Sequence, residues 1–255
     1  LFQTVGNIIE LIEKDDMPKY LLFLENAFPY MDNYNYHKGM NGIIQELTEL
    51  LKTKNIGTDS DRALLLDFQA TLETKPEKAI KLEKDALAQI ENITADNARL
   101  VSNLHANLGG LYRMNGHPDL AREHMEKSIS LLDQFNLLHI NDSIPQIANY
   151  AMFLTEQQEP ERGISELQKL SGIIKEYHSD DCLDYAKVQE TLGTIYLMTA
   201  NLPQAKTHFK RAFKIYEKIW ADEPEMIEAK YQEIQELYPQ IGFCIGKKLS
   251  GLLTK

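Results

Sequence analysis

The stretch SNLHANLGGLYRMNGHPDLAREHMEKSISLLD, residues 102–133, contains the pattern that decides the fold. Its first half carries apolar residues at helical spacing, at Leu104, Leu108, Leu111 and Tyr112. The turn sequence Asn-Gly-His-Pro at residues 115–118 then interrupts the pattern, and proline is favoured just inside a new helix. A second apolar stripe follows at Ala121, Met125, Ile129 and Leu132. The stretch therefore predicts two helices joined by a tight turn.

Several residue classes recur along the chain at a constant interval of 42 residues. Prolines keep this interval at Pro76, Pro118 and Pro160, and Pro203 comes one residue late. Small residues keep it in two series, which are Ala79, Ala121, Gly163 and Ala205, and Gly109, Ala151 and Gly193. Helices that cross closely need small side chains at the contact. The interval therefore predicts tandem helix hairpins, each closed at the same positions.

The residues at these positions resemble the tetratricopeptide repeat (TPR) signature. The resemblance rests on Leu108-Gly109-x-x-Tyr112 with Ala121-x-x-x-Met125, and on Leu192-Gly193-x-x-Tyr196 with Ala205-x-x-x-Phe209. The tryptophan of the usual pattern is absent, and His105 and Gln189 occupy its place. The usual repeat has about 34 residues, so each helix is longer here by about one turn. Long repeats with a pair such as Asn107-Leu108 are similar to those of kinesin light chains and some bacterial peptide-pheromone receptors.

The resemblance implies an all-α fold, a right-handed superhelical TPR solenoid built of antiparallel helix pairs. We predict four 42-residue units within residues 57–227, at about 60–101, 102–143, 144–185 and 186–227. Residues 1–56 are predicted to form N-terminal degenerate helical units, and residues 228–255 to form C-terminal capping helices of one continuous solenoid. Because the chain begins with Leu1, we expect it to be part of a larger protein.

Composition and charge restrict the classes of partner. The chain has 27 Lys and Arg against 38 Asp and Glu, a net charge of -11, which repels polyphosphate and anionic lipid. No apolar run approaches the roughly 20 residues that span a bilayer. We therefore expect neither nucleic acid nor membrane as a partner. Cys182 and Cys244 lie in no CxxC motif, which favours free thiols and a cytoplasmic location.

No sequence pattern indicates catalysis. The chain contains no GxxxxGK phosphate loop, no GxSxG nucleophile motif and no HExxH metal motif. Its seven histidines are scattered, and its carboxylates follow the solvent-facing spacing of helices. We therefore predict that the protein is not an enzyme, and that it has no cofactor and no metal site.

One helix is predicted to carry a basic stripe. Lysines recur every four residues at Lys206, Lys210, Lys214 and Lys218, with Arg211 beside them. The stripe fits an acidic or phosphorylated partner. The alternative, which we favour, is that the acidic residues within 222–228 balance it inside the protein.

The resemblance also implies a binding surface, since the first helix of each TPR hairpin lines a concave groove for an extended peptide or a helix. The predicted ligand-binding residues are Asn103, Asn107 and Arg113 in one unit, Asn149 and Met152 in the next, and Lys187, Glu190 and Thr194 in the third. Asn107 and Asn149 share a phase of the repeat, and an amide can hold a ligand backbone through both its donor and its acceptor. Alternatively, these amides join neighbouring helices.

The predicted function is therefore that of a protein- or peptide-binding scaffold module with its ligand in the groove. The alternative is a peptide-pheromone-sensing regulatory domain of a bacterial signalling receptor. In that case the bound peptide would change the pitch of the superhelix. The sequence does not predict the oligomeric state.

Overall fold

The regular structure is helical throughout the part of the chain that the structure, a computed structural model, describes. That part comprises Leu21, Leu24, residues 37–140 and residues 143–237. Its helices are α1 (His37–Lys54), α2 (Asp59–Leu72), α3 (Pro76–Ala88), α4 (Ala98–Met114), α5 (Pro118–Gln134), α6 (Ser143–Glu156), α7 (Pro160–Tyr177), α8 (Leu183–Met198), α9 (Leu202–Ile219) and α10 (Pro224–Leu237). The predicted all-α class is confirmed. The predictions for residues 1–36 and 238–255 fall almost wholly outside the described residues.

The chain divides into two compact units, Leu1–Leu131 and Leu132–Lys255. The first contains α1 to α4 and most of α5, and the second contains α6 to α10. Within each unit, helices adjacent in sequence pack as hairpins, as the repeat predicts.

Turn residues explain where the helices begin. Thr58 caps α2 in a reciprocal capping box, in which its Oγ1 accepts from the Asp61 N–H at 3.2 Å and the Asp61 carboxylate accepts from the Thr58 N–H at 2.6 Å. Pro76 and Pro160 stand in the first turns of α3 and α7, where a proline loses no hydrogen bond. Gly116, with φ +74°, makes the turn before α5.

The small residues of the repeat lie at helix crossings. A Cβ placed on Gly109 would lie 2.6 Å from Met125 Cγ, and one placed on Gly193 would lie 3.0 Å from the Phe209 ring. Both separations are shorter than van der Waals contact, so a side chain at Gly109 would force the hairpin apart and one at Gly193 would require the Phe209 ring to shift. The predicted reason for the 42-residue interval is confirmed at both crossings.

Each unit has its own apolar core. In the first, α1 and α2 enclose a cluster that includes Met40, Leu47, Leu65 and Phe68. In the second, the largest fully buried side chains include Phe153, Tyr185, Phe209 and Tyr216. Within the described residues, no helix combines the length and the apolar character that crossing a membrane requires.

Candidate functional site

The α2–α3 crossing of the first unit departs from the pattern of the later hairpins. Asp67 lies 42 residues before Gly109, and Glu83 lies 42 residues before Met125. A glycine–methionine contact is therefore replaced by two carboxyl groups, whose side chains are hydrogen-bonded to each other. Glu83 is 1% exposed, and its Oε2 atom has no hydrogen-bond partner.

This carboxyl pair holds a proton. Burial raises the pKa of Glu83 well above its ordinary value of 4.5, and the charge of Asp67 and the hydrogen bond to it raise that pKa further. A hydrogen bond between two carboxyl groups requires a proton on one of them. At neutral pH the pair therefore keeps this proton, and the raised pKa of Glu83 places it on Glu83.

Asn107, one of the predicted ligand-binding residues, belongs to this cluster. Its Nδ2 donates to Asp67 Oδ1 at 2.8 Å and so joins α4 to α2. The residue is nevertheless exposed. The alternative interpretation, in which the amide joins neighbouring helices, describes this contact, while the proposed contact with a ligand remains a prediction.

The other two predicted residues of the first unit lie on the same helix. Asn103 and Arg113 are both half-buried on α4, and both have interactions within the protein. All three side chains of α4 are therefore partly engaged in holding the fold together.

In the second unit, the predicted residues lie on two helices that pack against each other, α6 and α8. Asn149 is exposed and Met152 is half-buried on α6. On α8, the Thr194 hydroxyl donates to the Glu190 carbonyl at 3.1 Å, so it bonds its own helix. The structure thus brings Asn149, Met152, Lys187, Glu190 and Thr194 onto one pair of neighbouring helices.

Glu190 is the centre of a polar network that joins three helices. Its Oε2 accepts from the Tyr216 hydroxyl of α9 at 2.6 Å, and its Oε1 lies 2.9 Å from Lys230 Nζ of α10. Burial raises the pKa of Tyr216 above 10.0, and the Glu190 carboxylate adds to the effect. Burial alone would lower the pKa of Lys230, but the charges of Glu190 and Glu233 and the hydrogen bonds to both carboxylates together outweigh burial, and the pKa is raised. Both groups therefore stay protonated, and the network holds α10 against α8 and α9.

Beside this network lies a pocket of about 300 Å³ between α8, α9 and α10. It is lined by Leu183, Lys187, Tyr216, Trp220, Met226, Ala229, Lys230 and Glu233. The Trp220 ring stacks on Tyr216 with centroids 4.8 Å apart and the planes 11° from parallel. Met226 is 44% exposed, which leaves apolar surface open at the pocket.

Lys187 is the predicted residue that lines this pocket directly. It is exposed, and its Nζ lies 3.8 Å from Asp184 Oδ1 one turn earlier in α8. An exposed ion pair at this distance contributes little to stability, so the ammonium group can turn towards a ligand at small cost.

Comparison with known proteins identifies the repeat. Residues 143–218 match the sequence model of the tetratricopeptide repeat family. This segment is therefore similar to tetratricopeptide repeats. The matched segment holds α6 to α8 and nearly all of α9, including three of the residues that line the pocket, Leu183, Lys187 and Tyr216. No curated protein sequence matches the chain.

Solved TPR-type structures share the fold. BtubC (BKLC) from P. vanneervenii is similar with a TM-score of 0.58 and 16% identity, over 93% of this chain and 92% of that chain. The nearly identical TPR-like repeats of a putative kinesin light chain from Podosopora anserina are similar with a TM-score of 0.59 and 13% identity, over 77% of this chain and 96% of that chain. At such identities the likeness shows the TPR fold alone.

Sequence analysis did not name several residues that contact the predicted ligand-binding residues. Asp67 and Glu83 are visible in the 42-residue phase, because extending the Gly109 and Met125 positions back by one repeat reaches them. Tyr216 and Lys230 carry no such signal, since their contacts with Glu190 depend on how α9 and α10 pack.

The basic stripe of α9 finds partners that sequence analysis did not name. Arg211 lies 3.6 Å from Asp180, and Lys218 pairs with Asp181, which lowers the pKa of that carboxyl group. Both aspartates lie in the connection between α7 and α8. Within the described part of the chain, this connection therefore neutralises two charges of the stripe, and the balance of the stripe by the acidic residues within 222–228 stays a prediction.

Proposed function

We propose that the protein binds another protein or a peptide through the exposed faces of the first helices of its TPR hairpins. The observation that carries the proposal is the pocket between α8, α9 and α10, which combines open apolar surface with charged groups. Repeats of this family typically form non-catalytic scaffolds, which agrees with the absence of catalytic motifs from the sequence. We also propose a cytoplasmic location.

The pocket fits one apolar side chain of an extended peptide. Trp220 and Met226 offer an apolar surface, and burying an aliphatic or aromatic side chain against such a surface contributes roughly 1.5–3 kcal/mol. Lys187 and Glu233 stand beside it and can donate to and accept from the peptide backbone. The buried network of Glu190 keeps the pocket in shape before the ligand arrives, which lowers the entropic cost of binding.

The test uses the only tryptophan of the chain, Trp220, which lines the pocket. Peptides selected from a random displayed library against the whole chain are titrated while Trp220 emission is recorded. Ala229 is exposed and lines the pocket, so Ala229→Phe fills the space without entering the core. We expect this variant to weaken binding by more than about tenfold.

Gln232→Phe provides the matched control, because Gln232 is exposed on the same helix and does not line the pocket. It should bind like the wild type. If Ala229→Phe binds every selected peptide as tightly as Gln232→Phe does, the pocket is not the ligand site. If no peptide is selected at all, peptide binding by the chain is rejected.

A further inference from the structure

His105 of α4 and His124 of α5 point their ring nitrogens at each other in the first unit. The two Nδ1 atoms are 2.9 Å apart, the ring centroids are 5.1 Å apart, and the ring planes are inclined by 36°. A single proton lies between the nitrogens, since two protonated nitrogens would repel each other. His105 stands where the TPR pattern usually has tryptophan, so this pair replaces an apolar contact.

Both imidazoles are neutral at neutral pH. Burial lowers the pKa of His105 to about 4, and the charge of Lys127, together with that of His124 when it is protonated, acts in the same direction. Burial also lowers the pKa of His124, although Glu123 opposes the effect and Lys84 adds to it. Neutral imidazole is the form that binds metal ions.

We propose that His105 and His124 form a two-histidine site for Zn²⁺ or another transition-metal ion that prefers imidazole, bound through both Nδ1 atoms. The metal takes the place of the proton between the rings, and that proton moves by way of water to Nε2 of the same ring, so that both imidazoles bind in their neutral form. Among the described residues no group of three or more His, Cys, Asp or Glu side chains is arranged to hold a metal, so the site has two protein ligands. Both rings are half-buried, and water can reach the remaining coordination positions.

The geometry of the pair fits chelation. With Zn–N bonds of about 2.05 Å and a tetrahedral angle, the two nitrogens are about 3.3 Å apart and the ring centroids about 5.2 Å apart. The observed centroid separation of 5.1 Å already agrees with this value. The nitrogens must separate by about 0.4 Å, so each ring has to turn for both Nδ1 atoms to point at one metal ion.

The surroundings hold the two rings in position. The His124 ring stacks on Tyr112 with centroids 5.4 Å apart, and a buried hydrogen bond from the Ser102 hydroxyl to the Ser128 carbonyl, at 3.1 Å, joins α4 to α5. The positive charges of Lys84 and Lys127 reduce the affinity for any cation. The site therefore favours ions that bond strongly to imidazole, such as Zn²⁺ and Cu²⁺, over Mg²⁺ and Ca²⁺.

The second unit contains a natural comparison for this site. Gln189 and His208 lie 84 residues after His105 and His124, and His208 Nδ1 is 2.9 Å from Gln189 Oε1. The His208 ring stacks on Tyr196, as His124 stacks on Tyr112. Glutamine thus keeps the hydrogen bond between the helices and removes one metal ligand. His105→Gln reproduces this arrangement in the first unit and is expected to fold.

The test is a calorimetric titration of the whole chain with ZnSO₄, with NMR detection of the histidine ring nitrogens. We expect wild-type binding to shift both His105 and His124, and His105→Gln and His124→Gln each to weaken it by more than about tenfold. His208→Gln, the matched control, should bind zinc like the wild type. Lys127→Gln should bind it more tightly, because it removes a nearby positive charge.

Two results would overturn the proposal. One is a wild-type titration in which the ring nitrogens of His105 and His124 do not shift. The other is equal zinc affinity in the wild type and both glutamine variants, which would place the metal on other surface groups. Circular dichroism of each variant separates loss of the site from loss of the fold.

Discussion

Glu83 is hydrogen-bonded to Asp67 across the α2–α3 crossing, at the place where the next hairpin packs Met125 against Gly109. A polar pair there is costly to bury, because one carboxyl group must take up a proton that it loses in the unfolded chain. Apolar packing therefore stabilises the α2–α3 hairpin less than it stabilises the hairpins that follow. The stability of the α2–α3 hairpin also depends on pH.

Glu83→Gln should stabilise the protein at neutral pH. The pKa of Glu83 is raised in the folded state, so above pH 4.5 the folded protein binds a proton that the unfolded chain does not, and the free energy of unfolding falls as pH rises. Glutamine keeps a hydrogen-bond donor for Asp67 without this dependence. We expect a gain of roughly 1–3 kcal/mol at pH 7 in urea denaturation, decreasing towards pH 4.5.

Asp85→Asn is the control for this change, because Asp85 is an exposed carboxylate on the same helix. It should leave the pH dependence of unfolding as in the wild type. An unfolding free energy for Glu83→Gln that follows the wild-type pH profile would show that Glu83 is ionised in the folded protein.

Asn107→Ala and Asn149→Ala should differ in stability, although the repeat places the two residues at equivalent positions. Asn107→Ala removes the hydrogen bond to Asp67 and should cost about 0.5–1.5 kcal/mol. Asn149 is exposed on α6, and its replacement should change stability by less than about 0.5 kcal/mol. Thermal unfolding measures both, and equal melting temperatures would contradict the structural role of Asn107.

Gly109→Ala and Gly110→Ala form a matched pair on α4. The added Cβ at Gly109 meets Met125 Cγ at 2.6 Å and should destabilise by roughly 1–3 kcal/mol, and Gly109→Leu at least as much. At Gly110 nothing lies within 4 Å, so alanine should stabilise the helix by about 0.5–1 kcal/mol. If both variants shift the denaturation midpoint in the same direction, Gly109 does not lie at the helix crossing.

Tyr216→Phe should loosen α10. The change removes the hydroxyl that donates to Glu190 at 2.6 Å and should cost about 1–2 kcal/mol. Hydrogen exchange should increase in α10, because Lys230 then bonds a less restrained carboxylate. Tyr177→Phe is the control, since Tyr177 is 52% exposed and should tolerate the change. Unchanged exchange in α10 would show that Glu190 does not hold this helix.

The 42-residue interval predicts which residues face each other within one hairpin far better than it predicts which side chains meet between hairpins. It places Gly109 opposite Met125 and Gly193 opposite Phe209, because a glycine at a crossing is a local requirement of helix packing. The resemblance to tetratricopeptide repeats also selects Lys187 and Glu190 as candidates for the binding surface. It does not distinguish Glu190, which is bound to Tyr216 and Lys230, from the more exposed Lys187, because this difference depends on the packing of α9 and α10.

The sequence by itself determined that the chain folds into helix hairpins and which small residues close them, since apolar spacing and a constant interval are properties of the chain alone. Only the tertiary structure decided which polar side chains meet. Asn107 reaches Asp67 across 40 residues, and Lys218 pairs with Asp181 across 37. Such partners are set by side-chain directions and burial depth, which no period in the sequence encodes. The pocket beside Trp220 likewise exists only because three helices leave a space between them.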